Sequence, residues 1–175
     1  SGATINTPTI TSPTITGTVA GGSTITTPVL TGVTNGSDAA AGVVGEIISS
    51  TIAKASAISL TTSIFTPITS ITLTAGDWDV TGYGAWTTLT GTPYFTYAQV
   101  ALSSINSNID TNYQWAQCWY NQSTNFAWNI DGIASIPTAR YSVTTNTTIY
   151  LMNRSAWTNG GTISVYGQLR ARRVR

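Results

Sequence analysis

The sequence predicts an all-β protein in which an N-terminal trimeric repeat shaft precedes an antiparallel β-sandwich head of jelly-roll type. Three observations support this prediction. An apolar residue recurs at every fifth position of residues 1–33. Threonine, a strand-forming residue, makes up about a fifth of the chain, and only 7% of the residues are charged. From about residue 56 onward, apolar and polar residues alternate in short segments that turn residues separate.

The five-residue step of residues 1–33 fits neither kind of regular secondary structure. A helix spaces its apolar residues three or four positions apart, and a half-buried strand spaces them two apart. One apolar residue in five cannot form a core within a single chain, so we expect three copies to wind around a common axis. The residues expected in the core of this shaft are Ile5, Ile10, Ile15, Ile25 and Leu30.

Residues 34–55 are predicted to form a joint, and residues 56–175 the β-sandwich head. The joint contains the turn pair Asn35-Gly36 and a run of small residues, followed at residues 46–55 by a segment that could form a helical turn or a short strand and that we predict to be strand or irregular. In the head, residues 71–74 alternate in polarity, a turn follows at residues 75–77, and the pattern predicts a hairpin. In the strand after this turn, alternation places on one face Trp78, Val80, Gly82, Gly84 and Trp86. In the final strand, alternation places on one face Ile163, Val165, Gly167, Leu169 and Ala171.

The sequence contains few residues that could carry out chemistry. It has no histidine, one cysteine and six acidic residues, which excludes catalytic triads that depend on histidine. Asp77 and Asp79 would share a face of a strand, so they could form a glycosidase pair or half of a calcium site. The simpler interpretation makes Asp77 a turn residue and lets Asp79 face solvent or pair with an arginine. We therefore expect no enzyme activity, no metal site and no cofactor.

Aromatic and amide residues between 112 and 129 are the better candidates for a binding site. Aromatic rings can stack on the C–H groups of sugars while amides bind the hydroxyl groups. The alternative is that the same rings fill the core of the head or a trimer interface, because tryptophan and tyrosine dominate both. The candidate glycan-binding residues are Trp115, Trp119, Tyr120, Phe126 and Trp128.

The charge pattern gives little support for nucleic acid or membrane partners. The net charge is +1, and no apolar run approaches the ~20 residues of a membrane-spanning helix. Four of the seven basic residues lie at the C-terminus, at Arg170, Arg172, Arg173 and Arg175. Basic residues do not recur elsewhere in a pattern that would bind nucleic acid, so we expect these arginines to pair with acids across a trimer or with C-terminal carboxylates.

Three segments resemble the C-terminal head domains of bacteriophage fibre proteins. The most specific is ITLTAGDWDVTG at residues 71–82; the others are GVVGE at 42–46 and YGQLRARR at 166–173. The resemblance covers about residues 42–175. It implies a trimeric virion appendage and provides no catalytic motif to transfer.

The resemblance and the repeat together predict a homotrimeric virion fibre that is anchored to another virion protein, of the capsid or the tail, through its N-terminal segment. The short N-terminal region favours a head fibre or capsid decoration at the virion surface, with weak adhesion to a host-surface glycan. The alternatives are a tail-fibre tip that recognises the receptor and, less well supported, a glycan depolymerase.

Overall fold

The described part of the chain is all-β. The computed structural model describes residues 37–91, 93–110, 115–119, 132–158 and 160–175, with the backbone alone at 115–119 and residue 89. The pentad segment 1–33 with its five shaft residues lies outside these ranges. The strands of the described residues are β1 (Ile47–Ile52), β2 (Ile58–Ser59), β3 (Thr66–Leu73), β4 (Gly76–Thr90), β5 (Tyr94–Ser103), β6 (Trp115–Trp119), β7 (Gly132–Val143), β8 (Thr147–Thr158) and β9 (Thr162–Arg173).

These strands form two antiparallel sheets. Sheet A has the order β1-β9-β4-β7, with β2 also paired to β9, and sheet B has the order β3-β8-β5-β6. Strand β1 pairs with β9 along its whole length, from Ile47 opposite Arg172 to Ile52 opposite Gly167. Sheet A therefore begins inside residues 34–55, which the sequence had assigned to a joint, because the isoleucines of β1 extend the apolar face of β9.

One core lies between the two sheets, so the fold is a β-sandwich. Every second residue of β9 from Ile163 to Ala171 is buried, which confirms the predicted inward face of this strand. Trp78 and Val80 of β4 are also fully buried and belong to the same apolar cluster. Sheet B supplies the opposite wall of this cluster with Ile71, Leu73, Val100, Leu102, Ile149 and Leu151. The apolar faces of both sheets are thus removed from water together.

The predicted hairpin at residues 71–82 is wrong. Strand β3 pairs with β8 in sheet B, whereas β4 pairs with β7 and β9 in sheet A, so the chain crosses from one sheet to the other at Thr74-Ala75. The turn residues determine where the chain bends, but burial determines which strands pair. Leu73 and Trp78 have no exposed surface because they face the same core from opposite sheets.

Strand β5 departs from regular alternation near its start. Its register with β8 shifts between Phe95 and Tyr97, which indicates a β-bulge. The extra residue turns Phe95 into the core beside Ala98, although simple alternation would place these two residues on opposite faces. Phe95 there makes an edge-on contact with Trp86, with 6.5 Å between the ring centroids.

Candidate functional site

The predicted glycan-binding segment is described only in strand β6. This strand lies at the edge of sheet B and pairs with β5, with Trp115 opposite Ala101 and Trp119 opposite Tyr97. Tyr120, Phe126 and Trp128 lie outside the described residues. The structure therefore locates two of the five predicted positions: Trp119 lies in register with the partly exposed Tyr97, whereas Trp115 lies in register with the buried Ala101.

The outer face of sheet B next to β6 carries a cluster of aromatic residues around an arginine. Tyr97 and Gln99 alternate with the core residues Ala98 and Val100, so they lie on the face of β5 directed away from the core. Arg154 of β8 is the register partner of Gln99. Its guanidinium carbon lies 5.6 Å from the ring centroid of Tyr97, which is within cation–π range.

A loop before β3 completes this cluster, which we call the Arg154 face (Phe65, Tyr97, Gln99 and Arg154). The guanidinium carbon of Arg154 lies 5.0 Å from the ring centroid of Phe65, and Nε donates a hydrogen bond to the Ser63 carbonyl at 3.2 Å. The Ser63 amide in turn donates to the Ser155 carbonyl at 2.7 Å. The loop is thereby fixed on β8, and the guanidinium group lies within cation–π range of both rings.

Sequence reasoning missed the Arg154 face because its members come from three distant segments. The outward position of Tyr97 followed from alternation, but only the pairing of β5 with β8 brings Arg154 beside it. Phe65 reaches the cluster through its loop. The available signal was the alternation of residues 94–103, which exposes an aromatic and an amide on one face.

The C-terminal arginines do not act as one group. Arg170 and Arg172 are exposed, whereas Arg173 continues the inward face of β9 and is buried. Its Nε donates to the Glu46 carboxylate at 2.9 Å, and a terminal nitrogen donates to the Ala75 carbonyl at 2.7 Å. The guanidinium carbon lies 4.2 Å from the centroid of Trp78.

Arg173 joins three segments that are distant in the sequence, residues 42–46, 71–82 and 166–173. Glu46 belongs to the first segment, Trp78 to the second, and Arg173 to the third. Gly76 also belongs here, because a Cβ atom at this position would lie 2.2 Å from a terminal nitrogen of Arg173. The three segments therefore meet in one structural cluster of the sandwich.

The Glu46 carboxylate is ionised within this cluster. Burial alone would raise its pKa, but the hydrogen bond from the Gly42 amide and the hydrogen bond and charge of Arg173 together lower the pKa below its ordinary value. The Gly42 amide donates to Oε2 at 2.7 Å. The residues that precede β1 are thereby fixed to the last strand of the head.

The two aspartates considered as a catalytic or calcium pair are both bound to arginines. Asp79 accepts a hydrogen bond from Nε of Arg140 at 2.7 Å, and Asp77 pairs with Arg175. The hydrogen bond from Ser142 lowers the pKa of Asp77, and Arg175 lowers it further against the opposing effect of burial. The interpretation of Asp79 as an arginine partner is confirmed. Arg173 and Arg175 have acidic partners in the same chain, and the expected pairing of the C-terminal arginines across a trimer stays a prediction.

Among the described residues, no group of three or more His, Cys, Asp and Glu residues could hold a metal ion. The same part of the chain contains no helix that is long and apolar enough to cross a membrane. No protein-family model, curated protein or solved structure matches this chain.

Proposed function

We propose that this protein is a homotrimeric structural fibre at the surface of a bacteriophage virion. The observation that carries the proposal is the five-residue apolar step of residues 1–33. Both described sheets take their strands from residues 47–173, so the described sandwich is built without the pentad segment. An apolar residue at every fifth position still requires burial, and two further copies of the segment would provide it.

The strand order supports a jelly-roll head at the end of this fibre. When the two-residue β2 is set aside, the described strands follow two interlocked Greek keys, with β1-β9-β4-β7 facing β3-β8-β5-β6. The convergence of the three resembling segments on Arg173 supports the same assignment, because the likeness then concerns how the head is held together.

The favoured placement is a head fibre or capsid decoration. In this arrangement the N-terminal shaft docks on another virion protein, and the head provides weak adhesion to the host surface. One observation favours the alternative of a tail-fibre tip that recognises a receptor. On the sheet that carries the predicted glycan-binding strand, the Arg154 face presents a fixed cation within cation–π range of two aromatic rings.

The first experiment measures the mass of the full chain by light scattering at micromolar concentration. We expect a trimer, and a monomer would refute the proposal. Replacing Ile10, Ile15 and Ile25 together with Ser should dissociate the shaft, because each isoleucine contributes about 1.5–3 kcal/mol when fully buried. The matched control replaces the preceding Thr9, Thr14 and Thr24 with Ser and should remain trimeric.

The second experiment locates the protein on virions by reconstruction of whole particles. We expect density for it on the capsid, connected through its N-terminal segment. Removal of residues 1–20 should leave the head folded and abolish incorporation into particles. Density at the tail tip would support the receptor-binding alternative, and normal incorporation of the truncated chain would place the docking segment elsewhere.

A further inference from the structure

A second concave site lies where β5 and β7 end and β8 begins. It has a cavity volume of about 390 Å³, within the roughly 300–1,000 Å³ of small-molecule pockets. Its lining includes Ala139 and Ile149, which are buried members of the core region. Polar groups surround this apolar part and come from Ser104, Asp110, Tyr141 and Thr147. Ala139 and Ile149 form a buried floor that is only 6% and 0% exposed, so the accessible lining comes mainly from polar side chains.

The loop that bears Asp110 is held in place by a buried hydroxyl group. The side chain of Ser103 is fully buried; its Oγ donates to the Asn108 carbonyl at 3.0 Å. The same Oγ accepts hydrogen bonds from the amides of Ile105 at 3.0 Å and Asp110 at 3.2 Å. A ligand that binds here would therefore not need to order this loop, which lowers the entropic cost of binding.

The Asp110 carboxylate is oriented by one of its oxygens. Oδ2 accepts hydrogen bonds from the amide and the hydroxyl of Ser104, both at 2.7 Å. Oδ1 has no hydrogen-bond partner among the described residues. A carboxylate oxygen can accept two hydrogen bonds, so Oδ1 can bind neighbouring hydroxyl groups of a ligand.

Tyr141 supplies a donor that stays protonated. Burial raises its pKa to about 12, and the charge of Asp110 contributes in the same direction. Its hydroxyl therefore remains neutral at physiological pH. The pocket also includes the cation Arg140, but Nε of this residue is committed to Asp79 at 2.7 Å. Asp110 forms no salt bridge among the described residues, so its carboxylate favours a ligand that donates hydrogen bonds and repels an acidic group placed at Oδ1.

We propose that this pocket binds one neutral sugar ring, with Asp110 and Tyr141 hydrogen-bonded to its hydroxyl groups. The site is distinct from the Arg154 face, whose cation suits acidic groups. The proposal goes beyond the virion function and does not depend on it, because binding can be measured on the full chain in any oligomeric state.

The test is saturation-transfer NMR and titration of the full chain with methyl hexopyranosides, and with a methyl hexuronoside as the acidic counterpart. We expect at least one neutral glycoside to bind more tightly than its acidic counterpart. Asp110→Asn keeps an acceptor for Ser104 but removes the charge, and Tyr141→Phe removes only the hydroxyl. Each should weaken binding about tenfold, the equivalent of one hydrogen bond to a charged or fixed partner.

Two controls separate this site from other causes. Tyr166→Phe makes the same chemical change on β9, far from the pocket, and should leave affinity unchanged. Arg154→Gln tests the other candidate face. The proposal is overturned if no neutral glycoside binds, if the acidic one binds better, or if Arg154→Gln abolishes binding while Asp110→Asn does not. Near-ultraviolet circular dichroism confirms that each variant is folded before its affinity is interpreted.

Discussion

Replacement of Glu46 by alanine should strongly destabilise the head, because it leaves a charged arginine buried without its carboxylate. The side chains of Arg173 and Glu46 are only 6% and 10% exposed. Removal of one partner from a buried ion pair typically costs about 3–5 kcal/mol. At roughly 2–4 °C per kcal/mol for a chain of this length, the melting temperature should fall by about 10 °C.

The assay is thermal and denaturant unfolding followed by tryptophan fluorescence, since Trp78 packs against Arg173. The matched control is Asp79→Ala, which breaks the pair with Arg140. Asp79 is 34% exposed and Arg140 53% exposed, so water screens their attraction and the loss of this pair should cost much less than the loss of Glu46. Equal losses for the two variants would refute the reasoning, because burial would then not determine the cost.

A double variant tests whether the cost comes from the unpaired charge. Glu46→Leu combined with Arg173→Met removes both charges and keeps similar volumes. Such apolar replacements of buried pairs are often neutral or stabilising. We expect the double variant to recover most of the stability lost in Glu46→Ala. A double variant as unstable as the single one would show that the hydrogen bonds to Thr74 and Ala75, rather than charge, hold this cluster.

Three further predictions concern pH and packing. The pKa of Glu46 is lowered in the folded state, so the ionised carboxylate stabilises the fold above the ordinary pKa of 4.5, and this stabilisation is lost as the pH falls below 4.5. The free energy of unfolding measured against pH should show this loss, and Glu46→Gln should make the pH dependence flatter. The pKa of Tyr141 is raised to about 12, so the folded state should lose stability as the pH rises from 10 toward 12. Phenolate absorbance should show one tyrosine that ionises at higher pH than the others, and Tyr141→Phe should remove this signal. Gly167→Ala should destabilise near the top of the roughly 1–3 kcal/mol range for overpacking, since its Cβ would lie 2.1 Å from the Tyr83 carbonyl oxygen. Gly160→Ala is the control, because an added Cβ atom at Gly160 would have no atom within 4 Å and only the positive φ of this residue opposes the change. Denaturant titration measures the stability of both variants.

Alternation predicted the parts of the fold in which one strand buries one face. The inward face of β9 follows directly from the period of two in a strand, and Trp78, Val80 and Trp86 of β4 are buried for the same reason. Residues 46–55 were predicted to be strand or irregular, because a short isoleucine-rich segment fits a strand as well as a helical turn, and the structure shows the strand β1.

The candidate sites could be predicted only in part. The sequence singled out the region of β6, and the structure places Trp115 and Trp119 opposite β5. The sequence did not predict that Arg154 lies near Phe65 and Tyr97, or that Asp110 and Tyr141 line one pocket. Each of these groups combines residues from separate strands and loops. The shaft and the residues that belong to it stay predictions.

The sequence by itself determined the all-β class, the inward faces of the long strands and the five-residue step of the N-terminal segment, because these depend on periodicity within a continuous stretch of chain. Only the tertiary structure decided that β3 and β4 lie in different sheets, that Arg173 is buried against Glu46, and that the pocket at Asp110 exists. The physical reason is that turn residues bend the chain locally, whereas strand pairing is chosen by the burial of whole faces. That choice joins residues far apart in the sequence, and no local pattern encodes it.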